Sequence, residues 1–203
     1  TRYVSGGKHP LICCGPREAQ VEDMHVLIDG NQQAQGKDFF KITHHDPDPK
    51  GQLLAWAYDD KGSEYFTICI RRIADGTELP DRLLDTGGSF GWSACGSYLF
   101  YIAVDENHRP NRVLRHALGS AQADDVCVYE EKDPGFFVGL SATTSGRFLI
   151  ISAHDHETAE AHLLDAHAPL DAPTCVAPRE TGIEYDVDDD AARDRLLIVT
   201  NWN

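Results

Sequence analysis

The pentapeptide Gly87-Gly88-Ser89-Phe90-Gly91 spells G-x-S-x-G, the sequence of a hydrolase nucleophile elbow. The chemistry it would serve is attack by the Ser89 hydroxyl on a carbonyl carbon. That requires a buried strand before the serine and a helix directly after it, so that a tight turn lifts the hydroxyl above a sheet. Here the serine is followed by FGWSACGSYLFYIAV, which reads as a strand, a turn and a second strand. Without the helix, Ser89 is expected on a connection between strands and not as a nucleophile.

The other chemical groupings are weaker. In HDHE (His154 to Glu157), a continuing strand would place His154 and His156 on one face, within reach of one ion. Spacing fixes no third ligand, and a polar strand end facing a central channel is the expected reading. His44 and His45 would point to opposite faces. The acidic run DVDDDAARD (Asp186 to Asp194) puts Ala191 and Leu197 where a calcium loop needs Gly and Glu, so a solvated turn is expected. Glu130 and Glu131 would also face opposite ways, a poor geometry for joint acid–base work. No glycine-rich loop runs from a strand into a helix, so nothing supports nucleotide binding. Neither a metal nor a cofactor is expected.

The elements that would hold these residues repeat. PKGQLLAWAYDD, ACGSYLFYIAVDE, TSGRFLIISAHDH and ARDRLLIVTNWN each carry a turn residue, a polar residue and a short apolar run. Their turn positions are Gly51, Gly96, Gly146 and Asp194, at intervals of 45, 50 and 48 residues. Such spacing, with several short strands per unit, suits a four-stranded propeller blade. The stretches between agree. Phe66, Ile68 and Ile70 alternate with Thr67 and Cys69, and Asp75-Gly76 is a hairpin signal. RVLRHALG, DDVCVYEE, EAHLLDAH and PTCVAP supply further strands, and HPLICCG, HVLIDGN and DFFKIT belong to an opening unit. Gln32–Lys37 is the one mildly helical stretch, and Gly36 ends it.

The bulk properties set outer bounds. A net charge of −15, from 33 acidic and 18 basic residues, disfavours nucleic acid and anionic membranes as partners and suits either solubility or attraction of a cationic peptide. No apolar run approaches the roughly 20 residues of a spanning helix. The first residues, TRYVSGGKHP, lack a signal-peptide core and an initiator Met, so a cytoplasmic protein, present as a fragment, is expected. The six cysteines, scattered and without C-x-x-C, are expected as reduced, mostly buried thiols.

In order, DDKGSEYFTICIRR, GTELPD, RPNRVLRHALGS, DDVCVYEEKDPGFFVGLSATTSGRFLIIS, ETAEAHLLDA and PRETGIEYDVD cover nearly the whole chain. They resemble the propeller domain of the oligopeptidase B (protease II) branch of the prolyl oligopeptidase family of serine peptidases. The resemblance implies an all-β fold, a partial β-propeller of about three to four four-stranded antiparallel blades from a ring of seven. It divides the chain into an incomplete first blade (1–45), blades at 46–90, 91–140 and 141–190, and the start of another at 191–203.

It also implies a partner, an α/β-hydrolase domain of the same protein. That domain carries the Ser-Asp-His triad, lies outside these residues and cleaves short peptides after Lys or Arg. The propeller would exclude large folded proteins. By the same resemblance Phe136, Phe137, His154 and Glu157 approach the substrate, and Glu64 meets the catalytic domain. The family's usual S-P-D-G turn is DPDPKG here, a change of turn detail. Self-association of the fragment through open propeller edges is expected. Alternatives from other classes are a non-enzymatic protein-interaction scaffold and a metal-dependent lactonase-type propeller.

Overall fold

The computed structural model describes residues 1–202. A hairpin of β1 (Leu11–Cys14) and β2 (His25–Asp29) leads into α1 (Gly30–Gln33), a single turn whose first N–H groups, at Asn31 and Gln32, donate to the Asp29 carboxylate. Then come β3 (Lys41–Pro47), β4 (Leu53–Asp59), β5 (Phe66–Arg72), β6 (Glu78–Trp92), β7 (Tyr98–Val104), β8 (Pro110–Ala117) and β9 (Val126–Glu130). They form one seven-stranded antiparallel sheet in chain order. A second sheet has β10 (Phe137–Ala142), β11 (Phe148–His154), β12 (Ala159–Asp165) and β13 (Thr174–Ala177), and β14 (Tyr185–Asp190) pairs with β15 (Arg195–Thr200).

The seven-stranded sheet is two blades sharing β6. The first part of that strand pairs with β5, and its last part pairs with β7. Between them the register slips, from Thr86 opposite Ala103 to Phe90 opposite Tyr101. Gly87, Gly88 and Ser89 thus stand opposite the single residue Ile102. Gly88 sits at φ +84, which favours glycine, and a Cβ on Gly91 would lie 2.7 Å from Leu149 Cδ2 of the next blade. The glycines of G-x-S-x-G thus serve a bulge and a tight seam between blades. No helix follows Ser89, because the strand runs on to Trp92.

Burial explains the continuous apolar runs. In β4, Ala55 and Ala57 face one cluster with Ile68, Ile70, Leu83, Leu99 and Tyr101, while Leu54, Trp56 and Tyr58 face another with Ile12, Leu27 and Ile28. In β7 the same alternation sends Leu99 and Tyr101 back toward the first blade. Phe100 and Ile102 face forward onto Val138, Leu149, Ile151 and Leu164 of the third. β4 and β7, the second strands of the first two blades, are sandwiched, so both of their faces must be apolar. The blades therefore stack face to face as a row.

The turn after each first strand is built alike. Gly51, Gly96 and Gly146 have φ of 65°, 69° and 73°, and Asp194 has 48°. Just upstream, a short polar side chain accepts from the backbone beyond the turn: Asp48 from Leu53, Ser93 from Tyr98, and Thr143 from Phe148. Because this mark lies between the first and second strands, each blade begins a strand upstream of its glycine. The first complete one opens at Lys41, so residues 41–45 stand with it and not with the opening unit.

Two local expectations change. Asp186–Asp190 lies in strand β14, not in a solvated turn, and the Asp188 and Asp189 carboxylates accept from Thr144 and Ser145 of the third blade. Those cross-blade bonds offset the low strand preference of aspartate. Of the cysteines only Cys69 is buried, and Cys95, Cys127 and Cys175 are exposed on turns and outer strands.

Candidate functional site

Strand direction gathers several of the singled-out residues on one edge of the row. The start of β10 pairs with the end of β11, Phe137 opposite His154, so the lead-in to a blade and the turn after its second strand share an edge. The same edge carries the turn holding Glu64 in the first blade and the turn holding His108 in the second. Thr86 of β6 pairs with both Phe66, just beyond the first turn, and Ala103, just before the second.

Each of these turns is organised by an aspartate at the strand end. Asp59 accepts from the N–H groups of Lys61, Gly62 and Glu64. Asp105 accepts from Asn107 and Arg109, and Asp155 from Glu157 and Thr158. Burial works to raise the Asp59 carboxyl, but the N–H donors outweigh it and hold it below its ordinary range. At Asp105 burial also opposes, and the Arg109 side chain leads the groups that outweigh it. At Asp155 the Glu157 N–H is the leading cause of a lowered value.

Contacts link the turns into a continuous rim. The Tyr65 and His108 rings meet at 4.0 Å. Arg109 Nε donates to Asp105 at 3.0 Å, while its Nη1 donates to the carbonyls of Asp133 and Phe136, at 2.6 and 3.1 Å. Beyond β11 lies a groove of about 490 Å³ between the third blade and the β14–β15 pair, lined among others by His154, Asp155, Glu184 and Asp186. Glu184 and Asp186 are exposed, and among the described residues neither carboxylate has a cationic partner.

The residues singled out from the sequence distribute as follows. Glu64 is exposed on the first turn at φ 61°. Phe137 is 45% exposed and sits directly across from exposed His154, with Glu157 two turn residues farther on. Phe136 is 8% exposed and lies under the Arg179 guanidinium, 4.0 Å from its ring centre. His154 ends a strand and His156 lies in the turn, so the two do not share a strand face. Ser89 is half-buried on β6, and its hydroxyl makes no hydrogen bond to an imidazole among the described residues. Sequence reading gave no role to His108, Arg109 and Glu184 and placed Asp186 in a solvated turn; their grouping comes only from neighbouring turns. It also missed a separate cluster on the outer edge of the third blade: Glu160, His162 and Cys175.

The whole chain, residues 1–203, matches the family profile described as "Prolyl oligopeptidase, N-terminal beta-propeller domain". The chain belongs to that family. Among its curated relatives is Protease 2 of Moraxella lacunata, 35% identical over 178 residues, covering 87% of this chain and 26% of the relative. Dipeptidyl aminopeptidase BI of Pseudoxanthomonas mexicana is 33% identical over 177 residues, covering 87% of this chain and 24% of the relative. Among solved structures, oligopeptidase B from Leishmania major superposes with a TM-score of 0.85 at 36% identity, over 91% of this chain and 26% of that one. Oligopeptidase B from Trypanosoma brucei, a closed form with covalently bound antipain, gives 0.81 at 35% identity, over 92% and 26%. This propeller chain therefore spans about a quarter of the length of the relatives it matches. No described helix is long and apolar enough to cross a membrane.

Proposed function

We propose that this chain is the propeller portion of a serine endopeptidase of the oligopeptidase B type, which cleaves short peptides after Lys or Arg. In this reading the rim from Glu64 to Asp186 faces the peptide and an α/β-hydrolase domain of the same protein. The blades form a wall that admits short chains and excludes folded ones. The protein works in the cytoplasm, where its exposed cysteines stay reduced. In isolation, the apolar face of β15, with Val199 74% exposed, favours pairing of copies.

The observation that carries the specificity is the unpaired acidity of the groove beside His154. Glu184 and Asp186 project negative charge over a path that a cationic peptide would take, and such a field raises association rates until salt screens it. In the full-length protein, Glu184→Gln with Asp186→Asn should lower kcat/KM for an arginyl peptide amide at low ionic strength. The fall should be up to roughly tenfold, with little change in kcat. The difference should close at high salt, and a neutral substrate should be unaffected. Equal effects on arginyl and neutral substrates would contradict the assignment. Among the described residues neither side chain makes a hydrogen bond, so stability should hold.

A further inference from the structure

We propose that Glu160, His162 and Cys175 form a divalent-metal site, best suited to zinc, on the outer edge of the third blade. One potential ligand atom from each lies within 4.8 Å of the others. Glu160 and His162 are two residues apart on β12 and share a face. Cys175 stands directly opposite His162 on β13. The register of this pair shifts between Ala161 and His162, and such a bulge re-aims side chains locally.

The donor set is one imidazole nitrogen, one carboxylate oxygen and one thiolate sulfur. That mixture suits a borderline ion that accepts tetrahedral geometry, with water in the fourth position. A tetrahedral zinc holds its ligand atoms roughly 3.3–3.8 Å apart, so modest side-chain rotation closes the cluster around an ion. His162 Nε2 already meets Glu160 Oε1 at 2.9 Å, and a shared ion would replace that bond.

The surroundings resemble the outer shell of a metal site. The Arg179 backbone N–H donates to Glu160 Oε2 at 3.0 Å, which fixes the carboxylate and leaves Oε1 toward the imidazole. The His162 ring packs on Tyr129 at 4.8 Å. Among the described residues the Arg179 guanidinium is the one cation beside the cluster; it is tied to the buried Glu131 carboxylate and also lies 3.4 Å from Glu160 Oε1, a contact that an ion would displace. With Glu131, Glu160 and a Cys175 thiolate, the negative groups number three against that single positive charge. Exposed Cys175 gives an ion its path in.

The site would do structural work. β13 is the outermost strand of its blade and pairs with β12 through only three residue partners. An ion shared by the two strands would clip that edge.

The test uses the metal-free full chain titrated with Co²⁺. Stoichiometric binding with a thiolate-to-cobalt charge-transfer band is expected, displaced by Zn²⁺. The band should vanish in Cys175→Ser. In His162→Gln the affinity should fall by more than the roughly 10–100-fold lost when an outer-shell partner is removed. Zn²⁺ should raise the Tm of the wild-type chain and leave that of Cys175→Ser unmoved. Absence of the band, an equal band in Cys175→Ser, or undiminished affinity in His162→Gln would each overturn the site. Matching circular dichroism of the variants shows that the fold persists.

Discussion

Replacing His116 with alanine should destabilise the chain by about 3 kcal/mol, the upper end of the range for leaving buried polar groups without a hydrogen-bond partner. His116 is fully buried on β8, where its Nδ1 lies 2.7 Å from Asp125 Oδ1 and its Nε2 lies 3.0 Å from Asp81 Oδ1. Each ring nitrogen therefore lies within hydrogen-bonding distance of a carboxylate oxygen. The carboxylates have further tethers. Asp125 accepts from the Tyr101 hydroxyl at 2.8 Å, and Asp81 accepts from the Gly119 N–H. Asp81 belongs to the outer strand of the first blade, while His116 and Asp125 belong to the second. The imidazole is therefore a clasp between blades.

Alanine would leave two buried carboxylates without their donor, which costs far more than losing a hydrogen bond. Glutamine keeps one amide donor group and cannot serve both sides. Adding Asp81→Asn to His116→Ala should recover part of the loss, since a neutral amide tolerates the vacancy better. Urea unfolding midpoints measure each step. A cost below about 1 kcal/mol for His116→Ala would mean that the clasp contributes little.

Phe100→Ala should cost at least as much, about 3–5 kcal/mol, through a cavity in place of lost hydrogen bonds. Phe100 is 0% exposed, and its ring fills the seam between the second and third blades beside Val138, Leu149 and Ile151. These neighbours sit on two paired strands, β10 and β11, whose ladder holds them in place, so they cannot all collapse into the space. Phe100→Leu, which keeps most of the volume, should cost less than about 1.5 kcal/mol. Hydrogen exchange should show the third blade opening first in the alanine variant, with the first blade still protected. Uniform loss of protection across all blades would contradict a seam-by-seam fold.

The repeat is legible because a blade's second strand is an apolar run, buried on both faces in β4 and β7 and on one face in β11. LLAWAYD, YLFYIAV and FLIISAH therefore stand out as apolar runs, each preceded by a turn that forces positive φ at Gly51, Gly96 or Gly146. The G-x-S-x-G at Ser89 could be set aside because a helix start is a local feature and none is present. Blade boundaries were less legible, since β6 runs unbroken from Glu78 to Trp92 and its change of partner leaves only a pair of glycines as a trace.

The functional groupings depend on register, which local sequence does not carry. His116 meets Asp81 across 35 residues, and Cys175 meets His162 only through the pairing of β12 with β13. Asp186 to Asp190 looked like a solvated turn because the threonine and serine that satisfy Asp188 and Asp189 lie in another blade. The substrate-facing candidates Phe137 and His154 came from family resemblance, and their direct pairing appears only in the sheet.

The role of these blades as a non-catalytic module is tested most directly by labelling the full-length protein with a serine-directed covalent inhibitor and mapping the modified peptide. The expected label lies on a serine outside residues 1–203, and Ser89→Ala should keep full hydrolysis of an arginyl amide. A label on Ser89, with activity lost in Ser89→Ala, would place the chemistry within the blades and contradict this division of labour.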